Sequence, residues 1–416
     1  MSHYDVAVIG AGAAGLAAGL ELQKTGRSFI VLEARDRIGG RAFTDTATLG
    51  LPFDHGAHWL HAAAQNPFTK IADRLGFAYK ADIDWGPDHS TRYGKDGPLP
   101  EAAQMEAMGY IETVLDAVHA AGAAGRDVAF SDFMDPQNRW NTLTRQLIGQ
   151  ITSLDPELCS TRDFARYDSD GGDFPVAMGY GALVARNAAG LPVTLSTPVT
   201  RIDWSGPLVR VETQRGTLTA STIILALPVN VLIAGAVRFD PALPPDLVEA
   251  FHDCPMGVSE KLAILLDRPI DGYGHLYGDV IFSDPAKRPF NLHLNPFGRP
   301  LLVSHMGGSY GAEMEKLNDH DMMSVAMDAL VEAFGASVRS RVMRMLRTHW
   351  ASDPFTLGGY SHAKPGVAAS RLKFSEPVAD RIVLAGEHCS IPFYSTVHGA
   401  HLSGVAAAGK AMTLLR

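Results

Sequence analysis

The chain is short of cysteine, of excess positive charge and of long apolar runs. Its three cysteines, Cys159, Cys254 and Cys389, lie far apart and form no Cys-x-x-Cys pair, so neither a disulfide framework nor a redox dithiol is indicated. Acidic residues outnumber basic ones by 45 to 36, which gives a formal charge of −9 and argues against a nucleic-acid partner. This composition favours a reducing compartment, and we expect a cytoplasmic protein.

Signals for export, membrane insertion and two common catalytic classes are also missing. The N-terminus enters an apolar strand without a basic region or a small-residue cleavage site. The longest apolar stretch, 223–237, contains Pro228 and Asn230 and falls short of the roughly 20 residues that a membrane helix needs. Neither a Gly-x-Ser-x-Gly elbow nor a phosphate-binding loop lysine occurs. No membrane partner is therefore expected.

The chain does have enough apolar residues for a large core, with 46% hydrophobic against 19% charged over 416 residues. Its first segment predicts a βαβ unit of a parallel sheet, with strand 5–9, helix 13–25 and strand 28–33. Spacing further on predicts a mostly helical stretch at 101–145, strands within 191–227, 261–267 and 293–306, a helix at 319–334, a strand at 381–385 and a helix at 397–415. The basic stretch 339–347 is interleaved with Val, Met and Leu as on a helix face.

The first and last parts of the chain resemble each other in pattern, which predicts one domain built from separated segments. We expect the α/β class, with a Rossmann-type nucleotide-binding domain from 1–80, 180–260 and 370–416. An inserted α+β substrate-binding domain is predicted from 81–179 and 261–369. One boundary is placed near 84–100, where the periodicity stops and Gly, Pro, Asp and His accumulate.

A glycine turn between the first predicted strand and helix has the form of a dinucleotide fingerprint. Gly10 makes the turn, Gly12 lets backbone N–H groups approach a pyrophosphate, and Gly15 lets the helix pack on the strand. Glu33 ends the second strand and supplies an acceptor for ribose hydroxyls, which disfavours a 2′-phosphate. Together these residues indicate an adenine dinucleotide.

A second glycine and arginine cluster follows the acidic residue directly. The stretch Glu33-Ala-Arg-Asp-Arg-Ile-Gly-Gly-Arg41 contains three arginines and two glycines, which suits a second anion cradle. A cofactor that continues beyond its adenosine half would need such a cradle, whereas a nicotinamide enzyme has no obvious use for it. The alternative is a solvated turn with surface arginines.

These motifs, and others in the same order along nearly the whole chain, resemble the flavin-dependent amine oxidases of the monoamine and polyamine oxidase group. The likeness is carried by 10–41, by Asp54-His-Gly-Ala-His-Trp-Leu-His61 with Asn66-Pro67, by 179–183, 197–202 and 256–261, by 350–354 with 359–361, and by Gly386-Glu387 with 396–400. The resemblance implies FAD as the cofactor. It implies cofactor contacts from Gly10, Gly12, Ala14, Gly15, Glu33, Ala34, Arg35, Gly40, Arg41, Ala57, His58, Trp59, Val199, Trp350, Gly386, Glu387, Thr396 and Val397.

Individual roles also follow from the resemblance. Glu33 would bind the adenosine ribose, Arg41 the pyrophosphate side and Val199 the adenine. Glu387, if not simply a helix-capping carboxylate, would hold the ribityl chain. The backbone N–H groups at 396 and 397 would face flavin atoms on which negative charge grows.

The resemblance further predicts that FAD is bound without a covalent link. Gly359 stands where monoamine oxidases carry the cysteine that attaches the flavin, so a thioether at this position is impossible. Cys389 lies nearby in the sequence but does not match that position.

Three residues match catalytic positions of these oxidases. Lys261 matches the lysine that holds a water against flavin N5, and Tyr360 matches one ring of the aromatic cage that orients the amine. The other cage position falls at or beside Thr396, so half of the cage is expected. His61 matches a histidine near the substrate in polyamine-type members. The alternatives are a strand-end lysine that reaches solvent and a structural histidine.

The histidines also raise the question of a metal. His55, His58 and His61 are spaced three apart, but the glycine and the strand and loop character of this segment argue against a shared helix face. Cys389 with His398 and His401 suggests zinc, yet the resemblance explains 398–400 as the start of a cofactor-binding helix. No metal is expected.

The predicted function is therefore FAD-dependent oxidation of an amine, with oxygen as the acceptor and hydrogen peroxide as a product. A polyamine or related amine is favoured by His61, the half cage and the acidic balance. Monoamines and L-amino acids stay open, and an amino acid would need a facing arginine such as Arg92, Arg166 or Arg299. A related desaturase or porphyrinogen-type oxidase and a flavin-binding protein without turnover stay open as well, and so does a homodimer.

Overall fold

The computed structural model describes residues 2–81, 90–95, 97–169 and 171–415. Within these ranges the strands are β1 His3–Ile9, β2 Phe29–Leu32, β3 Thr44–Asp45, β4 Phe53–Asp54, β5 Trp59–Leu60, β6 Ser90–Gly94, β7 Gly97–Pro98, β8 Phe174–Pro175, β9 Val199–Asp203, β10 Val209–Thr213, β11 Gly216–Leu225, β12 Arg238–Asp240, β13 Ser259–Leu266, β14 Leu276–Val280, β15 Phe290–Leu294, β16 Leu301–Gly307, β17 Val342–Arg347 and β18 Ile382–Leu384.

The α-helices of the same ranges are α1 Ala13–Gln23, α2 Pro67–Leu75, α3 Glu101–Ala123, α4 Asn141–Thr152, α5 Thr161–Phe164, α6 Tyr180–Asn187, α7 Val229–Ile233, α8 Pro245–Asp253, α9 Gly308–Glu315, α10 Asp319–Phe334 and α11 Val397–Leu414. Short 3₁₀ segments lie at Phe130–Phe133, Pro156–Leu158, Pro296–Gly298, Ala336–Arg341, Ala368–Ser375 and Glu387–Cys389. Within the described residues, none of the helices combines the length and the apolar character that a membrane span requires.

The first sheet is built around the strand that precedes the glycine turn. Its order is β12-β9-β10-β11-β1-β2, and β18 also pairs with β11. β1 runs parallel to β2 and β11, as strands do when the connections cross over and helices cover both faces. Val6 and Val8 enter one core with α1 and α11, and Ala7 and Ile9 enter the opposite core with α8. The predicted α/β class and the Rossmann-type domain from separated segments are confirmed.

The second sheet has the order β17-β13-β16-β15-β14-β6-β7, and its pairs are antiparallel except for β6 with β14. α10 covers one face, where Ala326 and Leu330 pack against Leu262 and Leu302. The helices α3 and α4 add two smaller apolar clusters. This mixture of antiparallel sheet and helices is the α+β insertion that the sequence predicts. The residue numbers at which the domains divide stay a prediction.

Two local expectations differ from the structure. The stretch 339–347 is not a helix face, because its second part is β17, which pairs with β13 at the sheet edge and so overrides the local pattern. The first of the strands expected within 191–227, at 193–195, is reduced to an isolated bridge between Leu32 and Thr194. In the boundary region 84–100, residues 82–89 and 96 lie outside the described residues, and the described part contributes β6 and β7 to the second sheet.

The helix pair α1 and α11 packs at unusually short range through glycine. A Cβ added at Gly404 would lie 2.0 Å from the carbonyl oxygen of Ala14, closer than real Cβ atoms come. The small-residue pattern of the C-terminal helix is therefore a packing requirement. It brings the N-terminus of α11 up to the same sheet that α1 covers.

Gly404→Ala should lower the free energy of unfolding by about 1–3 kcal/mol, because the helices must move apart to admit the methyl group. Gly409→Ala in the same helix is the matched control, since no atom lies within 4 Å of an added Cβ there. The control should be neutral or stabilising by up to about 1 kcal/mol through helix propensity. Urea unfolding of both variants measures the difference, and equal effects would contradict the packing argument.

Candidate active site

A cavity of about 900 Å³ lies between the two sheets. One wall is formed where β1, β2, β11 and β18 end, which is the edge at which open α/β sheets bind ligands. The opposite wall is a face of the second sheet, from β13, β14, β15 and β16. The predicted site residues in the lining are Gly10, Gly12, Ala14, Glu33, Ala34, Arg35, Gly40, Arg41, Ala57, His58, Trp59, His61, Val199, Lys261, Trp350, Tyr360, Gly386, Glu387, Thr396 and Val397.

Each glycine of the turn has the role that its position in the motif predicts. Gly10 has a φ of +101°, and a Cβ there would lie 2.6 Å from the carbonyl oxygen of Ala226. Gly12 caps α1 and has open space where a Cβ would be, so a ligand can approach the backbone. Gly15 does not line the cavity. Its added Cβ would lie 1.8 Å from the Gly10 carbonyl oxygen, so its role is to let α1 pack beneath the turn.

Glu33 is buried at the end of β2 and faces the turn. Its carboxylate accepts hydrogen bonds from the backbone N–H groups of Ala11 (2.7 Å) and Arg35 (2.9 Å). These two bonds fix the carboxylate at the cavity wall, where the resemblance assigns it to a ribose.

The three arginines after Glu33 are committed to protein partners. Arg35 forms a bidentate ion pair with Asp353, at 2.5 and 2.8 Å. Arg37 donates to the Gly40 carbonyl at 2.9 Å, and its guanidinium lies 4.0 Å from the centre of the Phe43 ring. Burial, with the nearby Arg35 charge, lowers the pKa of Arg37 to about 10. The cluster builds the wall of the cavity and is not a solvated turn.

Arg41 and Glu387 form the centre of a buried polar group at the same wall. Arg41 Nη1 donates to Glu387 Oε1 at 3.1 Å and to the Gly359 carbonyl at 2.5 Å. Glu387 also accepts from the Ser361 hydroxyl at 2.7 Å and from the Ser395 N–H at 2.9 Å. Burial alone would raise the pKa of Glu387, but the Arg41 charge and these bonds hold it below its ordinary value.

Lys261 is buried on β13, and the alternative of a lysine reaching solvent is wrong. Its Nζ donates to the backbone carbonyls of Asp54 (3.0 Å) and Gly56 (2.5 Å). Burial lowers the pKa of Lys261 to about 8, although the Asp54 carboxylate opposes this shift. An ammonium has three donors, so one remains after these two bonds.

Tyr360 lines the cavity, and its hydroxyl donates to the Gln150 carbonyl on α4. Thr396 also lines the cavity, but it is the N-cap of α11: its hydroxyl oxygen accepts from the Gly399 N–H at 2.9 Å. Of the two aromatic-cage positions, Tyr360 and Thr396, only Tyr360 is aromatic, so half of the cage is present. The N-terminal end of α11 opens on the cavity beside Thr396.

Each histidine of the 55–61 segment faces a different carboxylate. His61 Nδ1 lies 2.8 Å from Asp173 Oδ1, and His58 Nδ1 lies 3.3 Å from Asp54 Oδ2. His55 lies 3.6 Å from an Asp45 carboxylate oxygen. Among the described residues, no three histidine, cysteine or acidic side chains are grouped to hold a metal ion. His61 lines the cavity with Asp173.

Pattern reasoning does not select several acidic residues in this region. Four of them are buried or half-buried, namely Asp54, Asp173, Glu260 and Asp279, and the exposed Glu112 lies at the cavity wall. Asp54 is bonded by the first two N–H groups of α6, at 2.9 and 3.2 Å, where a helix favours negative charge. Asp279 and Glu112 line the cavity, and burial raises the pKa of Asp279 despite its Arg92 neighbour. Of these residues, only Asp54 could have been identified from the sequence, because it begins the Asp54–His61 motif.

Of the three candidate arginines for a substrate carboxylate, only Arg92 lines the cavity. Its Nε lies 4.0 Å from an Asp279 carboxylate oxygen. Arg166 instead donates to the Ala368 carbonyl at 3.1 Å, and Arg299 lines a separate small cavity.

The residues of the large cavity fit an extended dinucleotide. Gly12 and Gly40 leave room at the N-terminus of α1, where a pyrophosphate is favoured, and a Cβ at Gly40 would lie 3.2 Å from the Gly12 Cα. The cavity continues past this point to Lys261, Tyr360 and the N-terminus of α11. The fold and this site thus define a protein that binds a dinucleotide cofactor at the glycine turn, with a buried lysine in the same cavity.

Comparison with known proteins gives the family. A model described as flavin containing amine oxidoreductase matches residues 13–106 and 101–412. Polyamine oxidase 4 and polyamine oxidase 3 of Oryza sativa subsp. japonica are 29% and 30% identical, over 98% of this chain and 88% and 89% of theirs. Lysine-specific histone demethylase 2 of Homo sapiens is 26% identical over 98% of this chain and 53% of its own.

A solved putrescine oxidase variant has the same fold, with a TM-score of 0.80 and 21% identity over 99% of both chains. The chain belongs to the flavin-containing amine oxidoreductases, as its motifs predict. It is an FAD-dependent amine oxidase. The three cysteines are free and none lines the cavity, which supports noncovalent binding of FAD without testing it.

Glu260, next to Lys261 on β13, provides a test of how burial shifts the pKa of a carboxyl group. It is buried, it accepts from the Thr348 hydroxyl at 2.5 Å and the Ala351 N–H at 2.9 Å, and burial raises its pKa from 4.5 to about 7. The folded state therefore holds a proton that the unfolded chain releases, so this group's contribution to stability falls as pH rises from about 4.5 to about 7.

Glu260→Gln should remove the decrease in folding stability that Glu260 causes as the pH rises, because glutamine does not titrate. Relative to the wild type, the free energy of unfolding of the variant should rise across this pH range by up to about 3 kcal/mol. Urea unfolding from pH 4.5 to pH 8 measures it, with the exposed Glu249→Gln as the control. A difference between variant and wild type that stays constant with pH would mean that Glu260 titrates normally.

Proposed function

We propose that this oxidase acts on a polyamine or related amine and uses oxygen as the electron acceptor, giving an imine, then an aldehyde, and hydrogen peroxide. One observation carries the proposal: the cavity lined by the glycine turn, Lys261 and Tyr360 is also lined by a set of acidic side chains. Glu112, Asp173 and Asp279 all line it. Such carboxylates suit a substrate with a second ammonium group.

When bound, FAD would supply the redox chemistry, as an acceptor for a hydride equivalent from the carbon next to the substrate nitrogen and as a donor of two electrons to oxygen. Gly12 and the α1 N-terminus would hold its pyrophosphate, and Glu33 its ribose. The N–H groups at the start of α11, beside Thr396, would favour negative charge at the other end of the cofactor. These contacts come from fixed backbone and carboxylate groups.

The substrate nitrogen would be positioned by Tyr360 and His61. The Tyr360 ring is held by the bond from its hydroxyl to Gln150, and it offers an aromatic face to an amine. Because the Asp173 carboxylate accepts from His61 Nδ1–H, the Nε2 atom of this ring is left to bond a substrate nitrogen. Lys261 holds a proton close to the reacting groups.

A second candidate is oxidation of an amine that carries a carboxylate, such as an L-amino acid. Arg92 favours it, since this buried guanidinium lines the cavity. Asp279 beside Arg92 and the other acidic side chains oppose it.

A homodimer and a cytoplasmic location stay predictions, the latter in agreement with three free cysteines.

Anaerobic mixing with a panel of amines tests the proposal. Polyamines and diamines should bleach the absorbance of oxidised flavin faster than monoamines or L-amino acids, and air should restore the colour with release of hydrogen peroxide. Faster bleaching by L-amino acids would favour the second candidate and Arg92. Bleaching by none of the panel would overturn both.

Glu112→Gln should raise the KM for a diamine about threefold, because an exposed charge pair contributes less than about 1 kcal/mol. The KM for a monoamine of the same chain length should not change. Asp116→Asn, an exposed acidic residue one helical turn further along α3 that does not line the cavity, is the control. Equal KM increases for both amines would show that Glu112 does not bind a second ammonium.

A further inference from the structure

A small cavity of about 20 Å³ adjoins the large one. Its volume suffices for about one water molecule. Three side chains, His58, Lys261 and His305, line both cavities and so form the partition between them. Arg299 lines the small cavity from a partly exposed loop. Lys261 and this loop therefore line the same small cavity.

The sheet register explains why Lys261 and His305 meet at the partition. Lys261 on β13 pairs directly with His305 on β16, and Ala263 pairs with Val303. Directly paired residues project to the same face, with Cβ atoms about 5 Å apart. The small cavity lies on this face, where Val303 forms its floor.

Both histidines have a ring nitrogen that lacks a hydrogen-bond partner. His58 Nε2 and His305 Nε2 are buried and bond to no described group. Burial, reinforced by the Lys261 charge, lowers the pKa of both rings. For His58 the Asp54 bond opposes the shift and places the proton on Nδ1, which leaves Nε2 as an acceptor. Two unpaired nitrogens beside an ammonium suit a bridging water.

We propose that the small cavity holds a water that joins Lys261 to His58 and His305, and that this set returns the proton that Lys261 donates when oxygen is reduced. The proposal rests on the proposed use of oxygen. His58 and His305 act through Lys261 and are positioning residues for proton transfer. Arg299 stays protonated and marks the solvent side of the path.

The atoms balance over the full reaction. An amine R–CH₂–NH₂ and O₂ give R–CH=NH and hydrogen peroxide. The carbon–hydrogen bond supplies one hydrogen with two electrons, and the second peroxide hydrogen arrives as a proton. Lys261 donates that proton and regains one from the water, the water takes its replacement proton from solvent on the Arg299 side, and the amine nitrogen releases one proton to solvent. Lys261 is therefore unchanged after each cycle.

Lysine can serve both sides because its three donors rotate about the Cε–Nζ bond. The bond to the Gly56 carbonyl is the shorter at 2.5 Å, and that to the Asp54 carbonyl is 3.0 Å. Asp54 itself lines the small cavity. The third donor, which remains after these two bonds, is the one available to the small-cavity water.

The rate of reoxidation tests the relay without any amine. The FAD-loaded protein is reduced with dithionite and mixed with oxygen. His305→Phe keeps an aromatic ring beside Trp59 but removes the nitrogens, and reoxidation should slow about tenfold or more. His305→Gln keeps a polar group but transfers protons poorly, so it should be nearly as slow. An unchanged rate in both variants would overturn the relay.

Val303→Leu fills the small cavity and leaves all three partition residues in place. It should slow reoxidation as His305→Phe does. Val338→Leu, the same exchange at a buried position that lines neither cavity, should not. The exposed His349→Gln is the histidine control. Equal slowing by both leucine variants would assign the effect to general packing and contradict the relay.

The position of the bridging water gives a second test of the relay that does not depend on enzyme turnover. A high-resolution crystal structure of the wild type should show a water within about 3 Å of Lys261 Nζ and both Nε2 atoms, and Val303→Leu should lose it. Absence of this water would overturn the proposal. Because neither measurement uses an amine, failure of the amine panel and failure of the relay are separate results.

Discussion

The structure depends on burying one ammonium group between two sheets. Lys261 reaches from β13 to the carbonyls of Asp54 and Gly56, more than 200 residues earlier in the chain. Those carbonyls can accept only if the 54–61 segment follows the second sheet closely. The same segment carries Ala57, His58, Trp59 and His61 into the cavity wall. The bonds that make the buried charge tolerable thus also assemble the region where cofactor and substrate meet.

The other buried charges are also bonded to partners from distant segments of the chain. Arg371 and Asp163 form a fully buried pair at 2.6 Å. Arg371 also donates to the Ser361 hydroxyl at 3.0 Å, and that hydroxyl donates to Glu387, which Arg41 neutralises. Such a network gives little net stability when intact, but removal of one member leaves an uncompensated charge that costs about 3–5 kcal/mol. It fixes the relative position of segments that local secondary structure does not connect.

The features that the sequence predicts are those whose cause is local. The turn at Gly10 and Gly12 is determined by backbone geometry within a few residues. Residues whose role depends on partners far away in the chain cannot be identified from local sequence patterns. Asp173 matters because His61 lies opposite it, and Glu260 because Thr348 and Ala351 bond it across 88 and 91 residues. The edge strand β17 shows the same limit, since its pairing with β13 outweighs its own pattern.

The arginines after Glu33 show how the structure changes the physical account of cofactor binding. Three guanidinium groups in nine residues indicate direct anion contacts, yet Arg35 is paired with Asp353 and Arg41 with Glu387. The free donors at the two ends of the cavity are then the backbone N–H groups that begin α1 and α11. Backbone donors do not titrate and are held by glycine turns and caps. The anionic parts of the cofactor would therefore be bound equally over a wide pH range, and the pH dependence of this oxidase would come from Lys261, the histidines and the substrate amine.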